Sequence, residues 1–208
     1  MKVLLLNGSP HVKGSTFRAL TEVASVLQEE GIESTIFHIG TKLATGCLGC
    51  GACAGKGRCI FDGDRVNEFL KEMETADALI IGSPVYFAGA AGGLTAFLDR
   101  AFFAGDRRFF RHKPASSIVV ARRAGATTSL DQINKYFQIR EMPVISSRYW
   151  NMAHGFVPEE IPQDEEGCQI MRILARNMAW FLRCKEAGEK AGIFPPEPET
   201  PITTSFIH

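Results

Sequence analysis

Four short apolar runs, each followed by a segment of helical period, constrain this chain more than any other feature. They are "KVLLLN" (2–7), "STIFHI" (34–39), "DALIIGSP" (77–84) and "ASSIVVA" (115–121). A run with little polar alternation reads as a strand covered on both faces, which is how the strands of a parallel sheet are buried. After the first run, Phe17, Leu20, Val23, Ala24 and Leu27 recur at helical spacing; Ser15 or Thr16 is placed to cap that helix and Gly31 to end it. Asp64 suits the cap of a second helix through about Thr75, a third covers about Gly93 to Phe103, and "TSLDQINKYFQI" (128–139) is a fourth. "PVISSRY" (143–149) reads as a fifth strand. Glu165 to Glu189 reads as a long closing helix, with Cys168, Met171, Leu174, Ala175, Met178, Phe181 and Leu182 on one face and Cys168 and Cys184 as buried small apolar residues. Crossovers between parallel strands are right-handed, so this alternation predicts a parallel sheet with helices on both faces, one domain over residues 1–190. Residues 191–208 are proline-rich and form an arm, whose Ile202, Phe206 and Ile207 suit docking on a second subunit.

Charge narrows the partners. Lys plus Arg and Asp plus Glu both number 23, with no block of like charge, so no nucleic acid is expected. No apolar run approaches the roughly 20 residues that span a bilayer, and "MKVLLLNGSP" meets a turn instead of a cleavage site. A cytoplasmic location without membrane contact is expected, where thiols stay reduced.

In an open parallel sheet, ligands bind beyond the carboxyl ends of the strands. Two such ends carry Gly-Ser-Pro. "NGSPHVKGST" (7–16) can cradle an anion through converging amides, the hydroxyls of Ser9, Ser15 and Thr16 and the positive end of the following helix; His11 sits in the same loop. It is neither a Walker loop nor a dinucleotide fingerprint. The second turn, "GSPVYFAGAAGG" (82–93), offers an apolar and aromatic surface from Pro84, Val85, Tyr86, Phe87 and Ala88, with glycines allowing close approach of a planar ring. A phosphate loop beside a ring loop is the arrangement FMN requires. A third loop after strand four, Arg122, Arg123, Ala124 and Gly125, supplies cations at the same edge, suited to the flavin pyrimidine. "RYWNMAHG" (148–155) would project Trp150, Asn151 and His154 toward that edge or a partner subunit. Asp99 and Arg100 read as a structural ion pair, and the basic stretch Arg107 to Lys113 as a solvated connection with a capacity to hold phosphate.

Cys47, Cys50, Cys53 and Cys59 are spaced C-x2-C-x2-C-x5-C among five glycines. That spacing favours a 4Fe-4S cluster, since interlocked C-x2-C steps belong to cluster loops, whereas zinc sites pair cysteines at two separated corners. Zinc, reduced thiols and an adventitious disulfide stay open as alternatives.

Taken in order, "LLNGSPHVKGST", "GCLGCGAC", "IIGSPVYFAGAAGGLTAFLDR", "ARRAGAT" and "YWNMAHG" resemble the flavodoxin-like NAD(P)H-dependent FMN reductases and, within them, the iron-sulfur flavoproteins. The resemblance implies a three-layer flavodoxin-like fold with strand order 2-1-3-4-5, one FMN per subunit, NAD(P)H as electron donor, and a homodimer or homotetramer. It places Ser9, His11, Ser15 and Thr16 at the phosphate, Pro84 to Ala88 at the ring and Arg122 to Gly125 at the pyrimidine edge. The expected activity is electron transfer from pyridine nucleotide to a quinone, nitroaromatic or protein acceptor, with no side chain acting as acid or base. An electron carrier without pyridine-nucleotide activity, or a flavin-based redox sensor, is the alternative.

Overall fold

In the computed structural model, which describes residues 1–42, 44–204 and 206, the chain builds one twisted sheet between two helical layers. The strands are β1 (Lys2–Asn7), β2 (Glu33–His38), β3 (Ala78–Tyr86), β4 (Gly89–Ala90), β5 (Ala115–Ala121) and β6 (Met152–His154); the helices are α1 (Ser15–Glu29), α2 (Val66–Thr75), α3 (Gly92–Ala104), α4 (Ala126–Ile139) and α5 (Glu165–Lys190). The sheet runs β2-β1-β3-β5-β6 with these neighbours parallel, while the two-residue β4 folds back antiparallel on the end of β3. Setting that short hairpin aside, this is the 2-1-3-4-5 order.

Period two decides the layers. Val3 and Leu5 of β1 face the layer made by α1 and α5, with Leu20, Leu27, Met171 and Leu174, whereas Leu4 and Leu6 face α2, α3 and α4 through Phe69, Phe97 and Ile133. All four β1 side chains are fully buried. Truncating any one to alanine would cost about 2–5 kcal/mol. Among the described residues, no helix is long and apolar enough to cross a membrane.

Several expectations need correction. The fifth strand lies at Met152–His154, not at 143–149, where only Val144 makes a bridge to Ala115. The cause is a buried side chain: Asn151 Nδ2 donates to Ser116 Oγ at 2.9 Å and Asn151 Oδ1 accepts from Ser147 N at 3.2 Å. These bonds take the place of ladder bonds and loop the chain out before it rejoins β5.

Neither Ser15 nor Thr16 caps α1; they are its first residues, Gly14 is the extended N-cap, and no side chain bonds the helix start. The N-cap of α2 is Arg65 and not Asp64, although Asp64, one residue earlier, accepts from Val66 N at 3.1 Å. Asp99 and Arg100 do not pair, because adjacent helical residues point about 100° apart. Asp99 accepts from Tyr136 on α4, and Arg100 turns inward to Asp64. Burial, then the Asp99 bond, pushes the Tyr136 hydroxyl far above its ordinary pKa. Cys168 is buried, but Cys184 falls off the apolar stripe of α5 and is exposed.

Beyond α5 the chain has no regular structure through Thr204, and Ile202 and Phe206 are almost fully exposed. Ile207 lies outside the described residues. In the Arg107 to Lys113 stretch, Arg107 and Arg111 both pair with Glu141, and Arg108 pairs with Asp106.

Candidate functional site

The loop between β1 and α1 is organised from within. Buried Asn7 accepts from Ser9 N at 3.1 Å and donates through Nδ2 to Val12 O at 3.1 Å, while Ser9 Oγ accepts from His11 N at 3.1 Å. His38, at the end of β2, donates from Nε2 to Ser9 O at 2.8 Å; its Nδ1 accepts from Gly40 N at 3.1 Å, which sets the tautomer. Gly8 lets the loop touch β3: a Cβ there would lie 2.5 Å from Leu94 and 2.8 Å from Gly82 O. The result is a rigid turn that leads into the uncapped start of a 15-residue helix, whose first amides lack intrahelical acceptors. An open cleft follows the turn, lined by Pro10 to Ser15 and by Phe156 and Pro158.

Of the residues expected here, His11 and Ser15 border this cleft, with Ser15 Oγ donating to Phe156 O at 3.4 Å. Ser9 and Thr16 are 3% and 2% exposed and belong to the loop's own scaffold. The Thr16 methyl packs over Gly82, where a Cβ would sit 2.9 Å from it.

The ring loop is a strained hairpin. Phe87 and Ala88 have φ of 51° and 58°, in the left-handed region that costs roughly 1–2 kcal/mol per non-glycine residue. Two side chains hold it: Gln132 Oε1 accepts from Ala90 N at 2.9 Å, and Ser83 Oγ accepts from Ala91 N at 3.1 Å. Phe87 is fully exposed and Tyr86 is 44% exposed, so neither is a core aromatic. The third loop interlocks with this one at Gly125, φ 92°, where a Cβ would lie 2.5 Å from Ala88 Cα. Arg122, Arg123 and Ala124 are exposed, and among the described residues neither arginine has an ion-pair partner. Trp150 is exposed and stacks edge-on against Tyr149, and His154 Nδ1 lies 3.6 Å from Asp164. Asn151 is buried at the sheet edge, where its side chain bonds Ser116 and Ser147.

The cysteines occupy the excursion between β2 and α2. Gly49, Gly51, Gly55 and Gly57 all take positive φ, which bends the loop so that Cys47, Cys50, Cys53 and Cys59 line one small cavity with Leu48, Phe61, Arg100 and Phe103. Among the described residues, no three Cys, His, Asp or Glu side chains converge as a metal-holding set. Cys59 is the buried, prearranged member: its N donates to Asn67 Oδ1 and its O accepts from Asn67 Nδ2, both at 2.9 Å. Arg100 Nη2 donates to Cys59 Sγ at 3.4 Å and to Phe61 O at 2.8 Å, and Nη1 pairs with Asp64. Burial opposes the Arg100 charge, but the bonds to Asp64 and Cys59 outweigh it and hold its pKa above the usual guanidinium value.

Asn7, His38, Asn67 and Gln132 escape a reading of local pattern. Asn7 alone carries a signal, as a polar residue closing an otherwise apolar strand.

A parallel sheet in this order, with an uncapped helix start after β1 and a strained aromatic loop on the neighbouring end of β3, defines a flavodoxin-like fold. The chain belongs to the NADPH-dependent FMN reductase family, whose model matches residues 1–157. An iron-sulfur flavoprotein of Methanocaldococcus jannaschii is 32% identical over 190 residues, covering 88% of this chain and 98% of its own. One from Methanosarcina thermophila is 26% identical over 185 residues, covering 88% and 95%. Among solved structures, the flavoenzyme NAD(P)H:(acceptor) oxidoreductase FerB of Paracoccus denitrificans superposes with a TM-score of 0.65 at 16% identity, covering 88% of this chain and 97% of that one. The WrbA-like flavodoxin of Agrobacterium tumefaciens gives 0.60 at 16%, with the same coverage. At these identities the structural likeness speaks for the fold alone.

Proposed function

We propose that this protein is a cytoplasmic FMN-dependent NAD(P)H oxidoreductase that passes electrons to a quinone, nitroaromatic or protein acceptor through a 4Fe-4S cluster held by Cys47, Cys50, Cys53 and Cys59. The observation that carries this reading is the sharing of one helix by two sites. The ring loop leads into the start of α3, and Arg100, Phe103 and Ala104 near its end line the cysteine cavity. At 1.5 Å per residue, Gly92 and Arg100 are about 12 Å apart along the axis.

The residue types suit both groups, although the four thiols line one cavity without converging into a metal-holding set among the described residues. For FMN phosphate, the free amides of the α1 start and the hydroxyl of Ser15 face a cleft with no acidic side chain on its wall. Val85, Tyr86, Phe87 and Ala88 form an apolar shelf whose strain is kept in place by Gln132 and Ser83. Arg122 and Arg123 bring positive charge to the same edge. For a cluster, the cysteine cavity offers four thiols, a buried cation, and an Arg100 Nε that is buried without a hydrogen-bond partner. When bound, FMN supplies hydride acceptance at N5 and the cluster supplies single-electron transfer. The chain's own part is to anchor phosphate, orient the ring and present one face to donor and acceptor.

Half-exposed Tyr149 and Trp150 and the apolar arm support a homodimer or homotetramer. A second reading, an electron carrier that uses no pyridine nucleotide, draws on the exposed apolar collar of Leu48, Ile60, Phe61 and Phe103 beside the cysteines, which suits a protein partner.

Iron and acid-labile sulfide per FMN, measured on anaerobically purified protein, test the cluster. About four irons per chain, lost in Cys50→Ser, are expected. FMN without iron would reduce the protein to a simple reductase. Sustained NADH or NADPH oxidation with an added quinone separates the enzyme from the carrier.

A further inference from the structure

Arg100 is 2% exposed, yet its hydrogen-bond donors are only partly matched. A guanidinium buried for structural reasons alone would be expected to meet a carboxylate in fork geometry and to place all five N–H donors. Here one Asp64 oxygen meets one Nη1, and the other oxygen is engaged by the α2 start through Val66 N. Nη2 divides itself between Phe61 O and the sulfur of Cys59, and among the described residues Nε has no partner. The guanidinium therefore turns one of its nitrogens to a cysteine sulfur, and its residue lines the cavity that the four cysteines share.

We propose that Arg100 is the fixed counter-cation of this site, holding positive charge against the Cys59 sulfur so that the cluster is easier to reduce, with Asp64 setting how much of that charge the cluster feels. The assignment rests on reading the four cysteines as 4Fe-4S ligands. Its physics is simple. Adding an electron increases the negative charge on the cluster by one unit, and a buried cation stabilises the more negative form at an effective dielectric well below that of water. Hydrogen bonding to a ligand sulfur acts in the same direction, and both are recognised controls of cluster potential. Arginine suits the role because it stays protonated even when desolvated, where lysine readily surrenders its proton. Asp64 opposes it by neutralisation, while its bond from Val66 N keeps the pair in register.

This predicts shifts of opposite sign, which a merely structural tie would not produce. In an anaerobic dithionite titration followed by the cluster's EPR signal, Arg100→Gln is expected to disfavour reduction at least tenfold, about 59 mV for a one-electron couple. Arg100→Lys, whose ammonium gives up its proton more readily in this buried setting, is expected to recover only part of that shift, and more of it at lower pH. Asp64→Asn is expected to move the potential upward, and its sign decides the matter if Arg100→Gln does not fold or load iron. Unchanged potentials, or shifts of the same sign in Arg100→Gln and Asp64→Asn, would overturn the role of Arg100 while leaving the cluster standing. Wild-type protein without iron or sulfide would overturn both.

Discussion

Replacing Gly125 by alanine asks whether the pyrimidine-edge loop and the ring loop move as one unit. Two penalties are separable. Gly125 sits at φ 92°, so any side chain there carries left-handed strain of roughly 1–2 kcal/mol. Its new Cβ would also lie 2.5 Å from Ala88 Cα, 2.9 Å from Ala88 Cβ and 3.1 Å from Val85 Cγ1. Carbon atoms rest at about 3.5–4.0 Å, so the Ala88 backbone must withdraw by about 1 Å. That turn is already strained and held at Ala90 N by Gln132, and it has little room to yield. Gly31→Ala is the matched control, since Gly31 has φ 71° but nothing within 4 Å of the point where a Cβ would stand. Gly31→Ala should lose about 1–2 kcal/mol, or roughly 2–8 °C in Tm of the apoprotein by circular dichroism, and Gly125→Ala should lose more. Only Gly125→Ala should also lose FMN affinity, tenfold or more by fluorescence quenching, equivalent to about 1.4 kcal/mol. If Gly125→Ala binds FMN as the parent does while being destabilised like Gly31→Ala, the two loops are not coupled and the reasoning fails.

Two further expectations rest on other parts of the molecule. Phe87 is fully exposed at φ 51°, so Phe87→Gly should leave Tm unchanged or higher, within about 1 kcal/mol, yet weaken FMN binding; a large loss of stability would show that the ring is core after all. Lys113 Nζ caps α2 through Met73 O and Glu74 O, and burial pulls its pKa down to about 8. An unfolded lysine titrates near 10.4, so between about pH 8 and about pH 10.4 the unfolded chain holds more protons and the contribution of Lys113 to stability rises with pH. Urea unfolding should show wild type gaining on Lys113→Met between about pH 7.5 and about pH 10, and a gap that stays constant or closes in the other direction would contradict the sign.

The sheet is legible in the sequence because burial on both faces leaves an unbroken apolar record, as in Val3 to Leu6 and Ile118 to Ala121. What escapes are polar side chains acting at long range. Asn151 replaces ladder bonds by reaching Ser116, 35 positions away, and this displaces the fifth strand from where its β-branched residues suggest. Arg100 reads as the partner of its neighbour Asp99 because adjacency in sequence resembles adjacency in space, yet its carboxylate is 36 positions distant. The three loops proposed to bind FMN can be located because they follow strand ends. Which of their hydroxyls face outward cannot, since Ser9 and Thr16 are turned inward by partners on other elements. The cysteine spacing is plain, but the clamp of Asn67 on Cys59 depends on how α2 packs.

Arg65 closes the base of the cysteine excursion. Its Nη1 donates to His38 O at 2.7 Å across a separation of 27 residues, and its guanidinium lies 4.0 Å over the Phe37 ring. With the neck of the loop fastened this way, the entropy of closure grows only with the logarithm of what lies beyond it, and doubling the excursion would cost the fold about 0.6 kcal/mol. Insertion, deletion or exchange of the exposed stretch that carries Cys47 and Cys50 therefore costs the sheet beneath little, and the cysteine loop can lengthen, shorten or change its thiols while the loops after β1 and β3 stay in place.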